Sequence, residues 1–222
     1  MELEQAVLGR RSIRAFRPDP VPLAVLRELV DVARWTPSGL NTQPWEFTVV
    51  GGDVLQKLRS RLRETAAVDP VGKPEIGQPT NLSERFKARR LALGNATLQA
   101  LGIAPEDKVK KDEYFLRNIS FFDAPHVIVL TMERCFTERE AMEMGAVAVT
   151  LMLLAHGRGL GTCPQWAPLR YAWIFHEVLG IPGTKRVMLA IPIGYPNLDA
   201  PVNRYTRTRV SPDELLRWLG VS

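Results

Sequence analysis

Residues 126–157 read HVIVLTMERCFTEREAMEMGAVAVTLMLLAHG and carry the strongest structural signal in the chain. HVIVLTM, at 126–132, is an apolar run of strand length and predicts a buried strand. Thr137 and Glu140 have the spacing of a capping box, which predicts that a helix begins there and continues to the end of this stretch. Its portion from 144 to 155 is apolar on every side, so we expect it to be central in the fold.

Apolar periodicity and turn residues predict the other elements. Two further strands are expected at 45–52 and 187–194, and further helices at 3–9, 23–35, 54–67, 83–102, 106–122, 169–179 and 211–218. Helices outnumber strands, and the order is not a regular alternation of strand and helix. This favours an α+β fold in which helices surround a small mixed central sheet, with 1–222 as one domain. Three prolines in VDPVGKPEIGQPTN (68–81) predict a long surface loop or lid.

Composition places the chain among ordinary globular proteins. Its 222 residues are 45% hydrophobic and 24% charged, which excludes disordered and collagen-like chains. The two cysteines are too few for a disulfide scaffold and favour a reducing, intracellular setting. The stretch 144–155 is too short to span a bilayer, and the N-terminus does not have the pattern of a secretory signal. We therefore expect a cytoplasmic protein without a membrane partner.

Arginines cluster at both ends of the chain. The net charge is +5, and the 29 basic residues divide into 22 Arg and 7 Lys. The clusters are Arg10, Arg11 and Arg14 with Ser12, and Arg204, Arg207 and Arg209. Guanidinium groups suit bidentate phosphate binding, so both clusters could close on one anion if the fold joined the termini. A solvated basic surface and a biased genome composition are the alternatives.

Two loops carry candidate ligand-binding groups. In PSGLNTQPW (37–45), the polar side chains of Ser38, Asn41 and Gln43 suit the edge of a planar heterocycle, or the loop simply caps the preceding helix. GRGLGTCPQWAP (157–168) permits close backbone approach but lacks both dinucleotide and P-loop spacing. Cys163 in this loop has no basic neighbour in the sequence and is expected to be a small buried thiol.

Several classes of site are excluded by missing patterns. His126, His156 and His176 have no ligand-like spacing, so no metal site is expected. No nucleophile elbow is present, which leaves hydrolytic triads without support. The basic segments lack interleaved aromatic residues and a recognition helix, so nucleic-acid binding would depend on net charge alone.

Five motifs occur in one order along the chain. They are RRSIRAF (10–16), PSGLNTQPW (37–45), the apolar helix followed by GLGTCP (159–164), IGYP (193–196) and the late arginine pair. In this order the chain resembles the FMN-dependent nitroreductase family over essentially its whole length. FFDAP (121–125) and GRGLGTCPQ (157–165) are most similar to the branch that includes nitrobenzoate reductases.

The resemblance implies an intertwined homodimer with two tightly but non-covalently bound FMN molecules in the subunit interface. The residues implied to bind the phosphate end, or the pyrimidine edge in the case of Arg14, are Arg10, Arg11, Ser12, Arg14, Arg207 and Arg209. Those implied to come from the partner subunit are Pro37, Ser38, Asn41 and Gln43. Those implied to face N5 and O4 through their backbone are Pro164, Gln165, Trp166 and Ala167. Arg117 falls near the implied pyrimidine side.

The implied activity is a ping-pong reaction. NAD(P)H passes hydride to the flavin and leaves, and a nitroaromatic or quinone-like acceptor then takes its place, with no catalytic acid or base from the protein. Region 68–122 corresponds to the family's most variable stretch, and its positive charge favours acidic acceptors. The alternatives are a reductive dehalogenase or flavin-cleaving enzyme of the same fold, and a non-redox basic protein that binds polyanions.

Overall fold

A four-stranded sheet forms the centre of the computed structural model, which describes residues 1–221. Its strands are β1 (Glu46–Val50), β2 (His126–Glu133), β3 (Gly161–Thr162) and β4 (Lys185–Gly194), in the order β1-β2-β4-β3. The α+β fold with a small central sheet is confirmed, but the sheet is antiparallel rather than mixed. In the described part of the chain, the one parallel contact is an isolated bridge between Ser12 and Thr162, because the N-terminal segment runs beside β3 at only that point.

Within residues 1–221, seven helices surround this sheet. They are α1 (Leu3–Gly9), α2 (Leu23–Ala33), α3 (Gly52–Val68), α4 (Glu84–Ala100), α5 (Lys108–Ile119), α6 (Glu138–Gly157) and α7 (Ala172–Leu179). These bounds confirm the expected helices, except that α7 follows a separate 3-10 turn at Pro168–Tyr171. The expected helix at 211–218 is wrong: only a 3-10 turn at Pro212–Glu214 forms. The following residues are exposed, so no apolar surface of the protomer stabilises a helix there.

The sheet is covered on both faces. In β2, Ile128 and Leu130 pack with α2 and α6 in one core. Val127 and Val129 point the other way, into a core with α3 and α7. Successive strand residues face opposite sides of a sheet, so burial of both faces explains why HVIVLTM is continuously apolar. Among residues 1–221, no helix is long and apolar enough to cross a membrane.

Helix α6 is buried on one face only. Met144, Leu151 and Ala155 lie in the core beside the sheet. Val149 on the opposite face is 48% exposed, and its neighbours Met142, Gly145 and Ala146 are also exposed. The expectation of a wholly central helix is therefore correct for one face, while the other is an apolar surface that the protomer leaves open.

The capping box at the start of α6 is confirmed. The Glu140 carboxylate accepts hydrogen bonds from the Thr137 backbone N–H at 2.9 Å and from the Thr137 hydroxyl at 2.9 Å. The backbone bond, followed by the hydroxyl bond, holds the pKa of Glu140 at about 2, well below the usual value of 4.5. The charged form is therefore favoured in the folded state.

We expect Glu140→Gln to be less stable than the original chain at neutral pH, and this difference to shrink in acid. A depressed folded-state pKa contributes stability that is present above about pH 4.5 and is lost as the pH falls toward 2. Urea unfolding at pH 7, 4.5 and 3 measures the difference. Glu138→Gln, in the same helical turn, is the control, and a Glu140→Gln difference independent of pH would contradict the assignment.

The proline-rich segment 68–81 is fastened to the body of the protein. The Tyr171 hydroxyl donates to the Asp69 carbonyl at 2.6 Å, and the Lys73 N–H donates to the Arg170 carbonyl at 2.8 Å. Glu75 accepts from the Val187 N–H at 3.1 Å. These contacts hold the first half of the segment against the β4 side of the molecule.

Candidate functional site

Asn203 joins the two ends of the chain. Its side chain is 1% exposed and accepts a hydrogen bond from the Arg14 N–H at 2.8 Å. Its amide nitrogen donates to the carbonyls of Ala15 at 2.8 Å and Asn197 at 2.7 Å. One buried amide thus fixes the segment carrying the first arginine cluster against the segment that leads to the second.

Asn203→Ala is expected to lower the free energy of unfolding by about 1–3 kcal/mol, because it leaves buried backbone groups without partners. Urea denaturation followed by circular dichroism measures the loss. Asn197→Ala is the matched control, since the Asn197 side chain accepts only an exposed bond from the Asp199 N–H. Equal losses in both variants would contradict the role given to Asn203.

Guanidinium groups from both termini meet at one place. Arg207 donates to the backbone carbonyls of Arg10 and Leu8, and Arg11 donates to the carbonyl of Tyr205. Of the residues that the structure describes, none provides a carboxylate to Arg10, Arg11, Arg207 or Arg209. The fold therefore concentrates four positive charges without neutralising them, which is the electrostatic requirement of an anion site.

The pKa values in this cluster are lowered first by burial and then by the crowding of like charges. Burial, and then the charge of Arg209, lowers the pKa of Arg10. Burial, and then the charges of Arg11, Arg209 and Arg10, lowers the pKa of Arg207. His156 lies beside them, and burial followed by Arg10 and Arg207 lowers its pKa. A bound anion would relieve this repulsion.

A cavity of about 480 Å³ adjoins the cluster. The two are linked through Cys163, which lines the cavity and lies near Ser12, Arg10 and Arg14. The cavity is lined by Arg14, by residues of α4 (Arg90, Leu93, Gly94, Thr97, Leu98), by Tyr114, Asn118 and Phe122, and by the loop residues Cys163, Pro164, Gln165, Trp166 and Ala167. The predicted loop residues 164–167 thus share one cavity with Arg14.

Unpaired polar groups line this cavity. Gln165 is 4% exposed and donates from Nε2 to the Asn118 carbonyl at 2.9 Å and to Asn118 Oδ1 at 2.6 Å, but its own Oε1 is buried without a partner. The backbone N–H groups of Trp166 and Ala167 donate to no carbonyl within residues 1–221. A buried acceptor such as Gln165 Oε1 normally has a partner, and the two N–H groups beside it are free in the described chain, so this wall offers both an acceptor and donors to a ligand.

Two titratable groups in the cavity are held neutral. Burial raises the pKa of Tyr114 to about 12, so the phenol keeps its proton and is a hydrogen-bond donor. Burial likewise raises the pKa of the Cys163 thiol. A protonated buried thiol is a weak nucleophile, which agrees with the structural role expected for Cys163.

The other predicted site residues lie elsewhere in the protomer. Pro37, Ser38, Asn41 and Gln43 form a separate loop that does not line the cavity. Its backbone is left-handed at Leu40, Asn41 and Gln43, and the Ser38 hydroxyl accepts from the Gln43 N–H at 3.0 Å. The Gly39 N–H donates to Glu143 on α6 at 2.7 Å. This loop is thereby fixed beside the open face of α6.

Two of the candidate arginines, Arg117 and Arg204, lie near a carboxylate and outside both the cavity and the arginine cluster. Arg117 does not line the cavity and lies 3.8 Å from the Asp123 carboxylate, whereas the adjacent Asn118 does line it. Arg204 is bonded to Asp199 at 2.7 Å, outside the cluster formed by Arg207 and Arg209. The role of Arg117 stays a prediction.

Sequence patterns missed several residues of the site. No local sequence pattern placed four residues in this site, because the contacts of each are with residues distant in sequence. These residues are Asn203, His156, Tyr114 and Asn118. Gly9 lies directly against one of them, His156: a Cβ at position 9 would be 2.6 Å from His156 Nε2, so a larger residue would collide with the ring. No group of three or more His, Cys, Asp or Glu suited to a metal ion occurs in the described part of the chain.

Comparison with known proteins identifies the relatives of this chain. The family model described as the Nitroreductase family matches residues 7–195. A 4-nitrobenzoate reductase from Pseudomonas putida is 29% identical over 219 residues, covering 99% of this chain and 96% of that protein. Nitroreductase NfnB of Mycolicibacterium smegmatis is 33% identical over 215 residues, covering 97% and 92%.

A solved structure agrees with this result. The FMN and NADPH-dependent nitroreductase NfnB from Sphingopyxis sp. strain HMH superimposes with a TM-score of 0.96 at 32% sequence identity, and the match covers 100% of both chains. The similarity therefore includes α4 and the C-terminal segment as well as the sheet.

Proposed function

Because the chain belongs to the nitroreductase family, we propose that it is an FMN-dependent oxidoreductase that uses NAD(P)H to reduce nitroaromatic or quinone-like acceptors. The observation that carries this proposal is the cluster of Arg10, Arg11, Arg207 and Arg209, which has no carboxylate partner in the described chain and adjoins the cavity through Cys163. Relatives with the names of nitroreductases cover nearly the whole chain.

The cluster fits the phosphate of FMN. A phosphate monoester carries up to two negative charges and accepts several hydrogen bonds, which matches planar guanidinium donors and the Ser12 hydroxyl. The arginines come from both ends of the chain, and Asn203 holds these ends together. Neutralisation of mutually repelling cations would favour binding of this group.

The cavity fits the ring end of the same cofactor. The isoalloxazine ring presents N–H donors and carbonyl acceptors on its edge, and the cavity provides the buried Gln165 Oε1 and the unpaired N–H groups of Trp166 and Ala167. Arg14 would add a positive charge beside the ring. When bound, FMN supplies the redox chemistry by taking hydride from NAD(P)H and giving it to the acceptor.

The protein's own residues bind and orient in this scheme. Donors aimed at a position where negative charge develops stabilise it electrostatically, and Arg14 with the Trp166 and Ala167 N–H groups would serve that purpose. Tyr114, neutral because burial raises its pKa to about 12, would offer a hydrogen-bond donor to a ligand in the cavity. No side chain is assigned as a catalytic acid or base.

We further propose a homodimer with the active sites at the subunit interface. The open apolar face of α6 around Val149 supports it, as does the 37–43 loop, which is attached to that face through Glu143. Leu40 at the tip of this loop is 93% exposed. In the dimer, Pro37, Ser38, Asn41 and Gln43 would reach the flavin of the partner subunit.

Within the variable region 68–122, we propose that α4 is the moving cover of the site. Thr97 is its only buried residue, so few apolar contacts hold this helix in place. The segment preceding it is fastened through Asp69, Lys73 and Glu75. Motion would then be confined to the helix that lines the cavity.

The alternatives receive less support. A polyanion-binding protein needs a broad exposed basic surface, whereas Arg207 and Arg11 donate to backbone carbonyls of the protein itself. A reductive dehalogenase or flavin-cleaving enzyme would share the fold and the cofactor. The two free cysteines support the cytoplasm as the proposed location.

The proposal is tested on purified protein loaded with FMN. We expect the protein to be yellow, to bind FMN in a one-to-one ratio with the chain, and to oxidise NADPH or NADH when 4-nitrobenzamide or a quinone is added. A protein that takes up no FMN would overturn the proposal. Flavin binding without turnover of these acceptors, together with turnover of halogenated phenols, would favour the dehalogenase.

A further inference from the structure

One face of α4 forms a wall of the cavity. Arg90, Leu93, Gly94, Thr97 and Leu98 all line it, and their spacing of three and four places them on one side of the helix. At 1.5 Å per residue, the wall extends roughly 12 Å from Arg90 to Leu98. It is apolar or small over most of that length and carries a single charge, at its N-terminal end.

Arg90 differs from the other cations of α4 in having no partner among residues 1–221. Lys87 pairs with Glu84 at 2.7 Å, and Arg89 pairs with Glu214 at 3.4 Å. The Arg85 guanidinium lies 4.6 Å from the centre of the Phe86 ring. Across the described residues, the Arg90 side chain makes no hydrogen bond, ion pair or aromatic contact.

The cavity itself offers Arg90 no negative charge. Of its lining residues only Arg14 and Arg90 are charged, and both are positive. Arg14 is already bonded to the Tyr205 hydroxyl at 2.9 Å and lies toward the arginine cluster. An anion entering the cavity beside α4 would therefore find Arg90 as its free cationic partner.

We propose that Arg90 binds the carboxylate of the electron acceptor, so that this chain prefers carboxylated nitroaromatics over neutral ones. This inference rests on the proposed function. Leu93 and Leu98 provide apolar surface for an aromatic ring, while the planar guanidinium suits a carboxylate at one end of it. The positive field of α4 also attracts an anionic acceptor to the cavity.

A phosphate of the pyridine nucleotide presents similar chemistry to a guanidinium, and kinetics separate the two. The FMN-loaded original chain is compared with Arg90→Gln and with Arg89→Gln, a matched control on the same helix outside the cavity. The acceptors are 4-nitrobenzoate and 4-nitrobenzamide, which have nearly the same shape and differ in charge. KM and kcat are measured for each acceptor and for NADPH.

We expect Arg90→Gln to raise the KM for 4-nitrobenzoate about tenfold, the size of one charge-assisted contact. Its kcat, and both constants for 4-nitrobenzamide and NADPH, should stay within about twofold. Arg89→Gln should leave all constants unchanged. In the original chain, added salt should raise the KM for 4-nitrobenzoate and leave that for the neutral 4-nitrobenzamide unchanged.

Other outcomes overturn the inference. Equal changes for the acid and the amide would mean that Arg90 only packs against the acceptor. A higher KM for NADPH with an unchanged ratio between the acceptors would assign Arg90 to a nucleotide phosphate. Either result leaves the nitroreductase activity intact, whereas failure of the original chain to reduce both nitro compounds would overturn the function and the inference together.

Discussion

Replacing Arg10 and Arg207 together by alanine is expected to lower the affinity for FMN by at least about 100-fold. Each guanidinium would lose a charge-assisted contact with the phosphate of roughly 1.5–3 kcal/mol, and tenfold in affinity corresponds to about 1.4 kcal/mol. Each single variant should lose about 10-fold or more. The purified double variant should therefore be nearly colourless.

Riboflavin separates a phosphate contact from a folding defect. It has the same ring without the phosphate, so its affinity should be similar in the original chain and in the variants. Isothermal titration with FMN and riboflavin measures both. Arg204→Ala is the matched control, because Arg204 is occupied by Asp199 outside the cluster. Unchanged FMN affinity in the double variant, or parallel losses for both flavins, would refute the phosphate assignment.

Elements determined by local physics could be predicted from the sequence. The strand at 126–132 is apolar on both faces because both faces are packed. Thr137 and Glu140 form the capping box of α6, as their spacing predicted. The start of α6 followed directly from that cap. The capping contacts lie within a few residues of one another, and the uninterrupted apolar run marks the strand as buried without knowledge of its partners.

Features that depend on distant partners could not be predicted. The 211–218 segment has helical capping residues and apolar side chains, but the protomer offers them no surface, and only a 3-10 turn forms. Whether the sheet is mixed or antiparallel depended on which segment lies beside β3. The N-terminal segment contacts β3 only through the bridge at Ser12, which is too short to form a parallel strand. The apolar periodicity of a segment does not show which surface it will pack against, so neither outcome could be read from the sequence.

The candidate site divides in the same way. Arginine clusters and the 157–168 loop were visible as local patterns, but their meeting depends on Asn203, a buried amide that bridges segments almost two hundred residues apart. The cavity wall formed by α4 was equally hidden, since Arg90 is one of several similar arginines in the sequence. Only the fold distinguishes it from Arg89, which has a carboxylate partner.

Val149→Glu is expected to convert the proposed dimer to monomers and to remove most of the bound FMN. Val149 lies on the open face of α6, where a symmetric interface would bury two copies of the new carboxylate. An uncompensated buried charge costs several kcal/mol, so two of them exceed what a typical interface can absorb. FMN would be lost because Ser38 and Asn41 no longer reach the partner's site.

Analytical ultracentrifugation at micromolar protein gives the mass, and absorbance gives the flavin content of the same sample. Val54→Glu is the matched control, since Val54 is 49% exposed, close to the 48% of Val149, but lies on α3. That variant should remain dimeric and yellow. A Val149→Glu protein that stays dimeric would place the interface elsewhere. A monomer that keeps its FMN would instead show that one chain suffices for the site, and that the 37–43 loop has no part in holding the cofactor.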